Sequence, residues 1–88
     1  MTAHLKEPKE PKERRDPSSA TPARLVFAKN HRKFRRDKQL SQADIEKITG
    51  IPRTTLSDME RGKQNVTVDM IYRLASAIGC PYHALLQP

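Results

Sequence analysis

Hydrophobic positions are sparse at the start of this chain and then fall into helical spacing. After Met1, Leu5 is the only sizeable hydrophobe before residue 23, whereas Phe27, His31 and Phe34 recur at i, i+4 and i+7. That spacing predicts a first helix over residues 23–37 with those three side chains on one face, where His31 reads as a packed core or boundary residue. Leu56, Met59 and Glu60 cluster within one turn of a later helix, and Val68, Ile71, Leu74, Ala75 and Ile78 follow helical spacing beyond it. The last of these helices should be the main source of aliphatic core. Tyr82, Leu85 and Leu86 suggest a short final helix opened by Pro81.

Start and stop signals divide this pattern. Ser41 is a good N-cap, because its hydroxyl can accept from a free amide of the first turn, and Asp44 favours the positive end of the helix dipole. A helix therefore starts at Gln42. It cannot pass Gly50, which supplies left-handed backbone, or Pro52, which lacks an amide. Another begins near Arg53 and meets its stop at Gly62. Two short helices joined by a tight glycine turn have the sequence form of a helix-turn-helix, whose second helix lies in the DNA major groove. Residues 63–66 read as a loop, Thr67 and Asp69 open the next helix, and Gly79 ends it. The fold class expected is all-α, five short helices around one core.

Composition narrows the function. The chain has 88 residues, room for one small domain and a tail, so a pocket that surrounds a substrate is not expected. No apolar run approaches the ~20 residues of a membrane span, and the N-terminus lacks the apolar stretch of a signal peptide. A soluble, intracellular protein with no membrane partner is therefore expected. Cys80 is the only cysteine, and His4, His31 and His83 are too scattered around it for a metal site, so neither a metal nor another cofactor is expected. Cys80 reads as a small half-buried residue.

The net charge of +7 is unevenly placed. Residues 1–22 carry five basic and four acidic side chains, and residues 23–88 carry twelve basic against six acidic. Basicity concentrated in a folded domain points to a polyanion, most often nucleic acid. Around the first helix Arg24, Lys29, Arg32, Lys33, Arg35, Arg36 and Lys38 face only Asp37, too unbalanced for charge pairing alone. Residues 1–22, with their Lys-Glu-Pro repeat, read as a disordered tail. Its near-balanced charge argues against a strong DNA arm.

Many of these positions together carry a family signature. Ser41-Gln42, Gly50-Ile51, Leu56-Ser57, Glu60-Arg61-Gly62, Asn65, Thr67, Leu74-Ala75, Ile78-Gly79 and Leu85-Leu86 resemble the Cro and phage-repressor (C1) type of helix-turn-helix domain, the Xre family, over about residues 26–86. The resemblance implies a compact, lambda-repressor-like domain over residues 23–88 that binds operator DNA, usually as a dimer on a partly palindromic site. It implies base contacts from Arg53, Thr54, Ser57 and Asp58 at the start of the recognition helix. It gives phosphate contacts to Gln42 and to Arg61, Lys63 and Asn65, with Ser41, Thr55, Arg35 and Arg36 as further candidates. Glu60 is expected to pair with Arg35, fixing the recognition helix to the scaffold. The same resemblance further implies a bacterial or phage-encoded protein of the cytoplasm, held on the nucleoid when bound.

Side-chain chemistry agrees with this assignment. Arg53 can make a bidentate contact to guanine, and Thr54 or Thr55 can offer a methyl to thymine or a hydroxyl to phosphate. Asp58 can accept from a cytosine amine or orient a basic neighbour. Three positions depart from the family pattern: Glu46 where alanine is usual, Thr49 in place of an aliphatic, and Pro52 at the usual Ser or Thr cap. Glu46 would lay its stem over the core. Pro81, Tyr82, Leu85 and Leu86, on a short and mostly apolar last helix, are either the lid of the chain's own core or the candidate dimer contact, and both readings have the same spacing. The expected function is a sequence-specific double-stranded DNA-binding transcriptional regulator, a repressor, with residues 53–61 in the major groove. The alternative is an antitoxin or bridging subunit whose tail binds a protein partner. No nucleophile, base and orienter are grouped, so an enzyme is not expected.

Overall fold

The computed structural model describes residues 20–88, so the expected tail lies almost entirely outside the described residues. Among the described residues the elements are α1 (Pro22–Asp37), α2 (Gln42–Thr49), α3 (Arg53–Glu60), α4 (Val68–Ile78) and a 3-10 helix, Tyr82–Leu86. The first helix begins one residue ahead of the expected start, because Thr21 caps it and Pro22 occupies its first turn, where a missing amide costs nothing. The expected fifth helix is the 3-10 helix, with Pro81 as its N-cap rather than its first residue.

Local chemistry sets most boundaries. Ser41 and Asp44 form a reciprocal capping box: Asp44 N donates to Ser41 Oγ at 3.0 Å, and Ser41 N to Asp44 Oδ2 at 2.8 Å. The bond from the Ser41 amide, followed by the contribution of its hydroxyl, holds the Asp44 carboxyl below its ordinary range. Gly50 closes α2 in left-handed backbone at φ 81°. In the turn, Thr49 Oγ1 donates to Ile45 O at 2.8 Å and accepts from Ile51 N at 3.1 Å, so the hydroxyl that replaces an aliphatic knits the turn. Pro52 caps α3 without a side-chain hydrogen bond. After α3, Gly62 sits at φ 74°, and a Cβ there would lie 2.9 Å from Leu25 Cδ2. That leucine tip can swing aside, so it is the left-handed backbone that asks for glycine here.

One core joins these elements: Phe27 of α1, Ile45 of α2, Ile51 of the turn, Leu56 and Met59 of α3, Ile71, Leu74, Ala75 and Ile78 of α4, and Leu85. Asn30 Nδ2 lies within 3.3 Å of the carbonyls of Ala84, Leu85 and Gln87, clamping the C-terminal segment against α1. Arg73 of α4 donates to Thr49 O at 3.2 Å, tying α4 to the end of α2. Two expectations are corrected. Val68 is 80% exposed, because the first residue of α4 precedes the turn that packs. Glu46 is exposed and does not lie over the core, since Ile45 fills the buried position of α2. Ile48 is likewise exposed.

Candidate nucleic-acid interface

Burial of Leu56 and Met59 turns the opposite side of α3 to solvent. Arg53 and Thr54 are exposed there, and Thr55, Ser57 and Asp58 are half-buried. Beside this face runs a groove of about 440 Å³ between α1, α2 and α3, lined by Arg32, Arg35, Arg36, Ser41, Gln42, Ala43, Arg53, Ser57, Glu60 and Arg61. It brings together seven of the residues expected at DNA: Arg53 and Ser57 among the base contacts, and Ser41, Gln42, Arg35, Arg36 and Arg61 among the phosphate contacts. Thr54, Thr55, Asp58 and Lys63 do not line it, and Asn65 lines a separate hollow with Arg24, Val66 and Leu86. Asp58 Oδ1 lies 3.7 Å from Arg61 Nη1, an exposed pair of adjacent turns that adds little stability but biases the guanidinium's direction.

Arg32 also lines the groove, and with Lys29, Lys33 and Arg36 it borders a neighbouring hollow along α1. Sequence reasoning counted it among the cations of α1 without assigning it a contact. Its spacing of one turn from Arg36 was the available signal.

Behind the groove the carboxylate of Glu60 is a hub. Arg35 Nε donates to Oε2 at 2.8 Å and Nη2 to Oε1 at 2.8 Å, His31 Nδ1 lies 2.6 Å from Oε2, and Gln42 Nε2 donates to Oε1 at 3.1 Å. Burial by itself would raise the carboxyl's pKa, but the bonds from Arg35, His31 and Gln42 outweigh it and hold Glu60 at about 2. The same pairing raises Arg35. Arg35 Nη1 also donates to Leu40 O at 2.8 Å, and its side chain is only 10% exposed. This corrects the double role expected of Arg35: the guanidinium is used by Glu60 and the turn after α1, not held out for a phosphate. Gln42 likewise gives one N–H to the scaffold. The spacing of His31 predicts a packed core or boundary residue, and nothing in that spacing points to its bond with Glu60 of α3.

At the other end, Leu85 is fully buried in its own core, which removes it from the expected dimer contact. Pro81, Tyr82 and Leu86 are exposed, and the Tyr82 ring lies 5.9 Å from that of Tyr72. Burial raises the Cys80 thiol above its usual pKa, leaving less thiolate. Among the described residues no helix is long and apolar enough to cross a membrane.

Known proteins share this arrangement. A helix-turn-helix family model, HTH_3, matches residues 32–85. A relative from Sinorhizobium fredii, named as an uncharacterized HTH-type transcriptional regulator (y4dJ), is 37% identical over 65 residues, covering 74% of this chain and 84% of its own. The crystal structure of the hypothetical transcription factor NHTF from Neisseria superposes with a TM-score of 0.72 at 35% identity, over 89% of this chain and 86% of that one. The restriction-modification controller protein C.AhdI from Aeromonas hydrophila gives a TM-score of 0.67 at 31% identity, over 70% of this chain and 94% of its own. With the capped helix pair, the glycine turn and the Glu60 hub already in place, these matches settle the classification: the chain belongs to the HTH_3, or Xre, family of helix-turn-helix proteins.

Proposed function

We propose that this chain is a sequence-specific double-stranded DNA-binding transcriptional regulator, a repressor that acts by occupying its operator. The observation that carries the reading is the groove lined together by Arg53 and Ser57 of α3 and by the cations Arg32, Arg36 and Arg61. A recognition helix needs side chains for base edges flanked by cations for the two phosphate backbones, and this is such a set. Arg53 reads guanine, with Thr54, Ser57 and Asp58 as its neighbours in the major groove. Ser41, the remaining N–H of Gln42, Arg36, Arg61, Lys63, Asn65 and Thr55 meet phosphates. The relatives' names, a transcriptional regulator and a restriction-modification controller, support regulation rather than catalysis.

One recognition helix reads only a few base pairs, so a useful specificity ratio calls for two, and the protein acts as a dimer on a partly palindromic operator. Exposed Tyr72, Tyr82 and Leu86 are the surface for that contact. Its place of action is the bacterial cytoplasm.

The test is selection from random duplex DNA followed by footprinting on the enriched site. A motif of two half-sites, bound with a steep dependence on salt, is the expected result. Equal affinity for every sequence would overturn the regulator reading. A protein that co-purifies and is lost on deleting residues 1–22 would then favour the bridging role.

A further inference from the structure

His31 is fully buried where α1 meets α3, at a position its spacing gives to the core. An imidazole is a costly occupant of such a place unless its polar atoms find partners. Nδ1 has one, Glu60 Oε2 at 2.6 Å, whereas Nε2 is buried with no partner, the ring stacking on Phe27 at 5.5 Å between centroids. A carboxylate accepts, so the hydrogen belongs on Nδ1. A hydrogen on Nε2 would be a buried donor with nothing to receive it.

The direction of that bond matters. His31 and Arg35 stand one turn apart on the same face of α1, and both donate to Oε2. Two donors separated along the α1 axis fix the pitch of the carboxylate as well as its position. Glu60 is the last residue of α3, and Arg53 is the first. At 1.5 Å per residue Arg53 lies about 10 Å away, so a pivot of roughly 6° at Glu60 moves it by about 1 Å. That is enough to spoil a bidentate hydrogen-bonded pair.

We propose that His31 is a positioning residue for DNA readout: by donating from Nδ1 to Glu60 it sets the angle of the recognition helix against α1. The effect on readout rests on the DNA-binding reading above, but the effect on the helix does not. His31→Leu fills the space and removes the donor, whereas His31→Asn places an amide nitrogen near the position of Nδ1.

Three measurements test this on the full chain. In the wild-type protein, long-range nitrogen NMR of the imidazole should show a hydrogen on Nδ1, and an Nδ1 without one overturns the proposal. Without DNA, amide exchange in α3 should quicken about tenfold in His31→Leu while α4 keeps its protection, and His31→Asn should restore α3. Equal loss in α3 and α4, or an Asn variant no better than Leu, would mean that His31 only packs. With DNA, the ratio of affinities for the selected and scrambled sites should fall about tenfold in His31→Leu and recover in His31→Asn. If the wild-type protein selects no site, the regulator reading fails, and the tautomer and exchange results still decide the role of His31. Should His31→Leu not fold, the tautomer and the Asn variant decide it.

Discussion

Glu60 shows how one side chain can hold two helices together and how that hold depends on pH. Its carboxyl is held at about 2 against an ordinary 4.5, so its contribution to stability is fully present above pH 4.5 and is lost as the pH falls toward 2. The side chain is only 5% exposed, and its removal would strand the donors of Arg35, His31 and Gln42. Breaking a buried pair from one side costs about 3 kcal/mol or more. Glu60→Ala is therefore expected to lose about that much stability in urea unfolding at neutral pH, and its deficit should shrink as the wild type is titrated from pH 4.5 toward 2. A deficit that stayed constant over that range would show that the carboxylate is not what holds α3. Of this cluster the sequence made only the Arg35–Glu60 pair legible, and that through family resemblance. Neither periodicity nor capping rules connect His31 with a carboxylate 29 positions away, and the same blindness gave Arg35 a phosphate that its burial denies it.

Elements were far easier to read than contacts, because their ends are written in neighbouring residues. Ser41, Gly50, Thr67 and Gly79 each act within one turn of their own position, and each stands at the expected helix end. Side-chain periodicity identified Ile71, Leu74, Ala75 and Ile78 for the same reason, yet it also enrolled Val68 and left Leu85 open between core lid and dimer contact. Spacing reports which residues share a face, whereas burial depends on what other elements cover. The local logic carries its own prediction. With eight residues, α2 has too few internal hydrogen bonds to tolerate frayed ends. Ser41→Ala should cost about 1 kcal/mol through loss of the cap, and Ser41→Gly only a few tenths. Ser41 also lines the groove, so the comparison belongs in chemical denaturation of the DNA-free protein. An Ala variant as stable as the wild type would show that the hydroxyl is not capping α2 in solution.

At the scale of the whole molecule, the groove separates two uses of positive charge. Arg53 projects from the start of α3, whereas Arg36 lies on α1, a helix that flanks the reader. A guanidinium over the backbone contributes through counterion release, which is blind to sequence, and each phosphate neutralised adds ~0.9 to the slope of log affinity against log salt. A guanidinium over a base edge discriminates by ~1–3 kcal/mol at one base pair. Arg36→Ala should therefore weaken binding to selected and scrambled duplexes alike and reduce the salt slope by about 1.8, ~0.9 for the phosphate lost at each of the two protomers. Arg53→Ala should instead relax discrimination at a single pair of symmetry-related positions in the motif. Both are read from fluorescence anisotropy titrations over a series of salt concentrations, with each variant taken against both duplexes. An Arg36 variant that changed which sequence is preferred, or left the slope untouched, would remove α1 from the backbone and require a different docking of α3 in the groove of the DNA.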